Sequence, residues 1–193
     1  MAVVRRLCVY CGSSTGTEER YRQAATGLGT RLAEAGIELV YGGGRVGLMG
    51  LVADAALAQG GRVTGVIPTL LHDREVAHPG VRLEIVASMH ERKQRMFDLS
   101  DAFVVLPGGL GTLDETIEIV TWRQLGLHEK PVVVVDIAGY WAPLRALLDH
   151  VIAQGFAPGR ASAYFHFVSG VDDVLGAMAA LPEPPKAGDS RLT

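Results

Sequence analysis

The sequence has few cysteines, no long apolar segment and no strong excess of charge of either sign. Its two cysteines, Cys8 and Cys11, have the C-x-x-C spacing of redox pairs, but there is no second pair that could complete a zinc site. Residues three apart on a strand face opposite sides of a sheet. We therefore expect two small buried thiols rather than a redox centre.

No apolar run is long enough to cross a bilayer, and residues 1–7 lead into a strand-like segment rather than a signal-peptide pattern. We therefore expect a cytoplasmic protein with no membrane partner. A formal net charge of −3 argues against a nucleic-acid partner and favours a small molecule. The six histidines have no compact metal-ligand spacing, so no metal site is expected.

Short apolar runs alternate with segments of helical periodicity along the whole chain. The predicted strands span residues 6–10, 37–41, 62–67, 82–86, 102–106, 132–136 and 165–168. The predicted helices span residues 18–35, 48–59, 90–99, 113–127, 141–153 and 171–180. This alternation predicts an α/β fold, a Rossmann-like parallel sheet with helices on both faces.

The chain has the length of one domain. We expect a single nucleotide-binding domain over residues 1–180, followed by a proline-rich, polar tail over residues 181–193 that is predicted to be disordered. Two glycine-rich loops follow predicted strands. In sheets of this kind ligands bind at the carboxyl ends of the strands, so both loops are candidate sites.

The first loop contains Gly42, Gly44 and Gly47 in a G-x-G-x-x-G pattern. The dinucleotide form of this motif also needs an acidic residue about 20 positions later, and residues 59–64 contain no carboxylate. A nicotinamide cofactor is therefore disfavoured. Gly43 and Gly44 are candidates for substrate binding, and the alternative is that these glycines only permit tight turns and close helix packing.

The second loop, residues 107–115, reads Pro-Gly-Gly-Leu-Gly-Thr-Leu-Asp-Glu and joins a buried strand to a helix. Backbone N–H groups at such a helix start can bind a phosphate. The loop lacks the Lys-Ser/Thr ending of a Walker A motif, so a monophosphate fits better than a triphosphate. Thr112 and Glu115 also match a T-x-x-E capping box, so Glu115 either ties down the helix start or performs chemistry.

A basic cluster, residues 89–95, lies on a predicted helix just before the strand that leads to the second loop. Arg92 and Arg95 share a helix face, whereas Lys93 points about a quarter-turn away. Such a run is usually a solvated basic face. Its position next to a predicted anion site also makes a phosphate clamp plausible.

Together these residues resemble the Lonely Guy phosphoribohydrolases that activate cytokinins, a family whose members have often been labelled lysine decarboxylases. The family's P-G-G-x-G-T-x-x-E motif is matched over residues 107–115, and its Arg-Lys pair is matched at Arg92 and Lys93. The resemblance extends to residues 11–14, 41–50, 121–122 and 124–126.

This resemblance implies hydrolysis of the N-glycosidic bond of N6-substituted adenosine 5′-monophosphates, and possible action on AMP itself, to free base and ribose 5-phosphate without a cofactor. It implies that Arg92 and Glu115 are catalytic. The residues implied to bind the nucleotide are Glu75, Lys93, Gly108, Gly109, Leu110, Gly111, Thr112 and Thr121. The helix after the second loop has more apolar surface than one core-facing stripe needs, contributed by Ile117, Val120, Trp122 and Leu125. We therefore expect a homodimer, which the resemblance supports.

Two other functions stay open. A pyridoxal-phosphate lysine decarboxylase needs a Schiff-base lysine, and only Lys93, Lys130 and Lys186 are available. A nucleotide-binding carrier protein without turnover could use the same loops to bind a phosphorylated ligand and release it unchanged.

Overall fold

Seven parallel strands form one sheet in the computed structural model, which describes residues 4–72 and 77–180. The strand order is β4-β3-β2-β1-β5-β6-β7. The strands are β1 (Arg6–Tyr10), β2 (Glu38–Tyr41), β3 (Val63–Pro68), β4 (Arg82–Val86), β5 (Ala102–Val105), β6 (Val132–Val135) and β7 (His166–Val168). The predicted Rossmann-like α/β fold is confirmed, and each predicted strand agrees with the observed one to within one residue at either end.

The described residues also form seven α-helices, six between strands and one after β7. They are α1 (Glu19–Glu34), α2 (Gly47–Ala58), α3 (Thr69–His72), α4 (Met89–Leu99), α5 (Leu110–Gln124), α6 (Ala142–Ala153) and α7 (Val174–Ala180). Short 3₁₀ helices span Ile137–Gly139, Gly159–Tyr164 and Val171–Asp173. The last of these replaces the first turn of the helix predicted over residues 171–180. The predicted tail and Glu75 lie outside the described residues.

The sheet separates two hydrophobic cores, as expected when helices cover both faces of parallel strands. Helices α1, α2 and α7 pack on one face, where Leu28, Val52 and Val174 are fully buried. Helices α4, α5 and α6 cover the other face through Met96, Ile119 and Leu144. The central strands are apolar on both faces, and all four valines of β6 have no exposed surface.

The two cysteines follow the same division. Cys8 belongs to the core under α4 and α5, whereas Cys11, just after β1, belongs to the core under α1 and α2. Both are buried and free, and burial raises the pKa of each thiol. The prediction of two buried thiols is confirmed.

Among the described residues, no helix combines the length and the apolar character needed to cross a membrane. The cytoplasmic location expected from the sequence stays a prediction.

Candidate functional site

The candidate site lies where the loops after β1 and β5 meet. From β1 the chain adds β2, β3 and β4 on one side of the sheet and then β5, β6 and β7 on the other. The carboxyl ends of β1 and β5 therefore border the point at which the strand order reverses. Ligands of such sheets bind at this point. The amide of Gly12 donates to the carbonyl of Pro107 over 3.0 Å and joins the two loops. A cavity of about 280 Å³ opens beside them, lined by residues 12–16, Pro107, Gly108, Gly109 and the rings of Tyr21 and Tyr140.

Helix α5 starts inside the second glycine-rich loop, three residues earlier than predicted. Its N-cap is Gly109, which has no side chain to cap the helix, and the amide of Leu113 makes its helical bond to the carbonyl of Gly109 over 3.0 Å. The N–H groups of Leu110, Gly111 and Thr112 come before this first helical donor and therefore have no acceptor within the helix. The predicted strand-loop-helix arrangement is present, with backbone donors at the helix start.

The predicted T-x-x-E capping box is wrong. Thr112 lies within the first turn of α5 rather than before it, because the helix begins at Leu110. Its hydroxyl packs so closely against Gly108 that a β-carbon at position 108 would overlap it. The carboxylate of Glu115 is free of any capping role at this helix and turns towards α4 instead.

Glu115 forms a buried ion pair with Arg92 of α4. The Nη1 atom of Arg92 lies 3.3 Å from Oε1 of Glu115, and the two residues are only 7% and 8% exposed. The guanidinium also donates from Nε to the carbonyl of Val66 over 3.1 Å and from Nη2 to the carbonyl of Gly42 over 3.3 Å. Arg92 is thus fixed by the ends of β2 and β3, with its cationic edge against Glu115.

This environment places Glu115 near the midpoint of its titration at neutral pH. Burial raises the pKa of Glu115 to about 7, against the positive charge of Arg92, which lowers it. The carboxylate of Asp114 adds to the increase, and the ammonium of Lys93 opposes it. A carboxyl group with such a pKa can accept or donate a proton near pH 7, as general acid–base catalysis requires.

The basic cluster on α4 is not the solvated face that its composition predicts. Arg92 and Lys93 are buried, and the Nζ atom of Lys93 lies 3.1 Å from Oδ2 of Asp114 and 3.0 Å from Oε1 of Glu118. Arg95 lies at the surface instead, where its Nε atom is 2.6 Å from Oε2 of Glu84. Arg92 and Arg95 therefore do not act together on one ligand.

The first glycine-rich loop packs against the loop after β1. The amides of Leu48 and Met49, at the start of α2, both donate to the carbonyl of Gly12, over 3.0 and 3.3 Å. The donors that would hold a dinucleotide pyrophosphate are thereby occupied. Gly47 has a φ of +66°, and a β-carbon there would overlap the backbone of Ser13, so close packing accounts for this glycine.

Gly43 and Gly44 contact the segment that follows residue 76. The amide of His78 donates to the carbonyl of Gly43 over 3.1 Å, and Gly44 forms an isolated bridge with Ala77. Thr121 lies away from Glu115 on the exposed side of α5, where its hydroxyl donates to the carbonyl of Ile117 over 2.7 Å.

The described lysines do not suit Schiff-base chemistry at this site. Lys93 is held by two carboxylates. Lys130 lies two residues before β6, at the amino-terminal end of the strand and away from the site, where its ammonium donates to the carbonyl of Phe97 over 2.7 Å. Lys186 lies outside the described residues. Within residues 4–72 and 77–180, no group of three or more His, Cys, Asp or Glu side chains is placed to hold a metal ion.

Several contacts of the site were not anticipated from the sequence. Asp114 and Glu118 are the partners of Lys93, and their spacing of four on α5 is the signal that would have placed them on one face. Tyr140 donates its hydroxyl to the carbonyl of Gly108 over 2.6 Å. No local sequence pattern predicts this contact, because it joins residues 32 positions apart.

Solved structures share this fold. A molybdenum cofactor binding protein from Rippkaea orientalis superposes with a TM-score of 0.70 at 18% identity, over 93% of this chain and 98% of that one. The molybdenum cofactor carrier protein from Chlamydomonas reinhardtii gives a TM-score of 0.67 at 20% identity, over 90% and 95% of the two chains. At these identities the similarity establishes the fold alone.

Sequence comparison identifies the family. The family model described as "Possible lysine decarboxylase" matches residues 49–178. A probable cytokinin riboside 5′-monophosphate phosphoribohydrolase from Oryza sativa subsp. japonica is 52% identical over 80% of this chain and 68% of its own length. A second rice enzyme of this name is 49% identical over 79% of this chain and 63% of its own length, and one from Arabidopsis thaliana is 48% identical over 79% and 72%. The chain therefore belongs to the Lonely Guy family, the family of these phosphoribohydrolases.

Proposed function

We propose that this protein hydrolyses the N-glycosidic bond of N6-substituted adenosine 5′-monophosphates and releases the free base and ribose 5-phosphate. The observation that carries the proposal is the buried pair of Glu115 and Arg92 beside the start of α5. The pair supplies a carboxyl group that titrates near neutrality. The start of α5 next to it supplies backbone donors suited to a monophosphate. The names of the rice and Arabidopsis relatives agree with this substrate class.

The phosphate is proposed to bind at the start of α5. The N–H groups of residues 109–112 have no helical acceptor, and the helix dipole adds partial positive charge there. Gly109 and Gly111 have open space where a β-carbon would lie, so an anion can approach the backbone closely. Binding the phosphate here would fix the ribose relative to Glu115, which lies within the first two turns of the same helix.

Glu115 and Arg92 are proposed to be the catalytic residues. As the bond between C1′ of the ribose and the base nitrogen breaks, its electron pair leaves with the base and positive charge develops on the sugar ring. An ionised Glu115 stabilises that charge and accepts a proton from the water that adds to C1′. Transfer of this proton to the departing base gives the neutral free base and returns Glu115 to its ionised form. Arg92 favours the ionised form of this buried carboxyl group and holds it in place.

A nucleotide panel tests the proposal. We expect the purified protein to release free base and ribose 5-phosphate from N6-isopentenyl-AMP, with AMP as a second substrate. Free base is resolved by chromatography and ribose 5-phosphate is measured separately, with the Glu115→Gln variant as the enzyme blank. Tight nucleotide binding without release of base would instead indicate a carrier protein, and absence of both would contradict the proposed site.

We also propose a homodimer formed through the exposed side of α5. Leu110, Ile117 and Leu125 are 86%, 40% and 64% exposed, and spacings of seven and eight place them on one side of the helix. Val120 is buried in the core, and Trp122 packs edge-on against Phe97 of α4, so neither side chain is part of this exposed face.

Light scattering coupled to size exclusion should give twice the chain mass of 20.5 kDa for the wild type. Ile117→Glu should shift the protein towards the monomer, because the dimer would bury a charge against the second copy. Leu147→Glu is the matched control, since Leu147 is 57% exposed on α6. A wild-type monomer, or a dimer unaffected by Ile117→Glu, would contradict this interface.

A further inference from the structure

Three successive carbonyl groups of the loop between β5 and α5 are held by hydrogen bonds. The amide of Gly12 donates to the carbonyl of Pro107 over 3.0 Å, and the carbonyl of Gly109 accepts the first hydrogen bond of α5, also over 3.0 Å. The carbonyl between them, that of Gly108, accepts from the hydroxyl of Tyr140 over 2.6 Å. This last contact is made by a side chain from the turn after β6, 32 positions along the chain.

Tyr140 is itself fixed by two aromatic rings. Its ring packs edge to face against that of Tyr21 on α1, with centroids 5.4 Å apart, and against that of Trp141, with centroids 4.8 Å apart. Trp141 is only 3% exposed, and its amide donates to Oδ1 of Asp136 over 2.7 Å. The packing therefore directs the hydroxyl of Tyr140 at the loop.

The turn that carries Tyr140 has an unusual backbone conformation. Ala138 has a φ of +52°, and in the described part of the chain it is the one non-glycine residue with a positive φ. This conformation costs free energy in a residue with a β-carbon, and it persists only where the surrounding contacts hold it. Such strain concentrates at functional sites, and here it lies two residues before the side chain that contacts the loop.

The hydrogen bond from Tyr140 also sets the direction of the Gly109 N–H group. A peptide group is planar and trans, so its C=O and its N–H point in opposite directions. Holding the carbonyl of Gly108 therefore orients the N–H of Gly109, which is the first of the donors proposed to bind the phosphate. Because neither flanking residue has a side chain to restrict rotation of this peptide, its orientation depends on the contact with Tyr140.

We propose that Tyr140 is a positioning residue for phosphate binding: its hydroxyl holds the carbonyl of Gly108 and thereby directs the N–H of Gly109 at the phosphate. The ring of Tyr140 also lines the cavity beside the loop, so removing the hydroxyl alone leaves that wall in place. The inference rests on the proposed function for the identity of the ligand. It adds a residue that neither the glycine-rich loop nor the basic cluster contains.

The Tyr140→Phe variant tests the proposal, because it removes the hydroxyl and keeps the ring. We expect the dissociation constant of ribose 5-phosphate to rise about tenfold, as for the weakening of one hydrogen bond to a charged group. With N6-isopentenyl-AMP, KM should rise about tenfold while kcat and its pH dependence stay those of the wild type. Calorimetry measures the dissociation constant, and initial rates measure KM and kcat.

Tyr164→Phe is the matched control, because Tyr164 lies near the other end of α5, where the guanidinium of Arg123 is 5.8 Å from the centre of its ring. This variant should leave the affinity for ribose 5-phosphate and KM unchanged. The proposal is overturned if Tyr140→Phe binds ribose 5-phosphate as tightly as the wild type does. It is also overturned if kcat falls while KM is retained, since the hydroxyl would then act on the catalytic pair rather than on phosphate binding.

An NMR titration with ribose 5-phosphate separates this inference from the proposed function, because it needs no turnover. The amide signal of Gly109 should shift in the wild type at ligand concentrations about tenfold lower than in Tyr140→Phe. This result supports the positioning role even if no base is released from any nucleotide. A Gly109 signal that does not respond in the wild type, or that responds equally in both proteins, overturns it even if the wild type is an active hydrolase.

Discussion

Replacing Glu115 with glutamine should reduce base release by about 10³-fold or more while leaving the protein folded. The substitution keeps the size of the side chain and an acceptor for Arg92, but it removes the charge and the titrating proton. General acid–base groups contribute about 10²- to 10⁴-fold to rates. Initial rates with N6-isopentenyl-AMP and AMP measure the loss, and circular dichroism checks the fold.

The same variant should be more stable than the wild type at alkaline pH. Because burial raises the pKa of Glu115 from 4.5 to about 7, the unfolded chain ionises first as the pH rises, and the folded state loses stability between these values. The penalty is complete above about pH 7 and amounts to about 3 kcal/mol. Glutamine mimics the neutral acid and avoids it.

Thermal unfolding at pH 4 and pH 8 measures this difference. Glu115→Gln should raise Tm relative to the wild type at pH 8, and the difference should disappear at pH 4, where Glu115 is neutral in both states. Glu34→Gln, at the exposed end of α1, is the control and should shift Tm little at either pH. In the activity assay, a Glu115→Gln variant that keeps its rate within about tenfold of the wild type would show that Glu115 is not the catalytic carboxylate.

The fold was predictable because its main signal is local. A parallel strand covered on both faces must be apolar throughout, and the run Val132–Val135 satisfies this without reference to any other segment. The position of both glycine-rich loops at the carboxyl ends of strands was predictable as well, since each loop comes directly after a predicted strand. The start of α5 was misplaced by three residues, because T-x-x-E has the same letters inside a helix as at its cap.

The arrangement of side chains in the site was less predictable. Burial of Arg92 depends on the carbonyls of Gly42 and Val66, and these lie 50 and 26 positions away in the sequence. Composition alone therefore suggested a solvated basic face. The pKa of Glu115 is equally non-local, since it is determined by burial and by four nearby charges, two of them on α4.

Replacing Gly42 with alanine should reduce kcat/KM by about 10²-fold without changing either catalytic residue. A β-carbon at position 42 would overlap Nη2 of Arg92 and lie 3.0 Å from Sδ of Met49. The guanidinium must then move from the carbonyl of Gly42, and its contact with Glu115 changes with it. Misplacing a catalytic group by about 1 Å can cost about 10²-fold in rate.

Gly176→Ala is the matched control, because Gly176 lies in α7, away from the site, with open space where its β-carbon would be. This change should keep the rate and stabilise α7 slightly, since alanine favours helix more than glycine does. The assignment to Arg92 is tested by adding Gly42→Ala to Arg92→Met. If the methyl group acts by displacing the guanidinium, the double variant should be no less active than Arg92→Met alone. A further large loss of activity in the double variant would show that Gly42→Ala acts by distorting the loop after β2. An unchanged rate in Gly42→Ala alone would show that the contact between Arg92 and Glu115 is not needed for turnover.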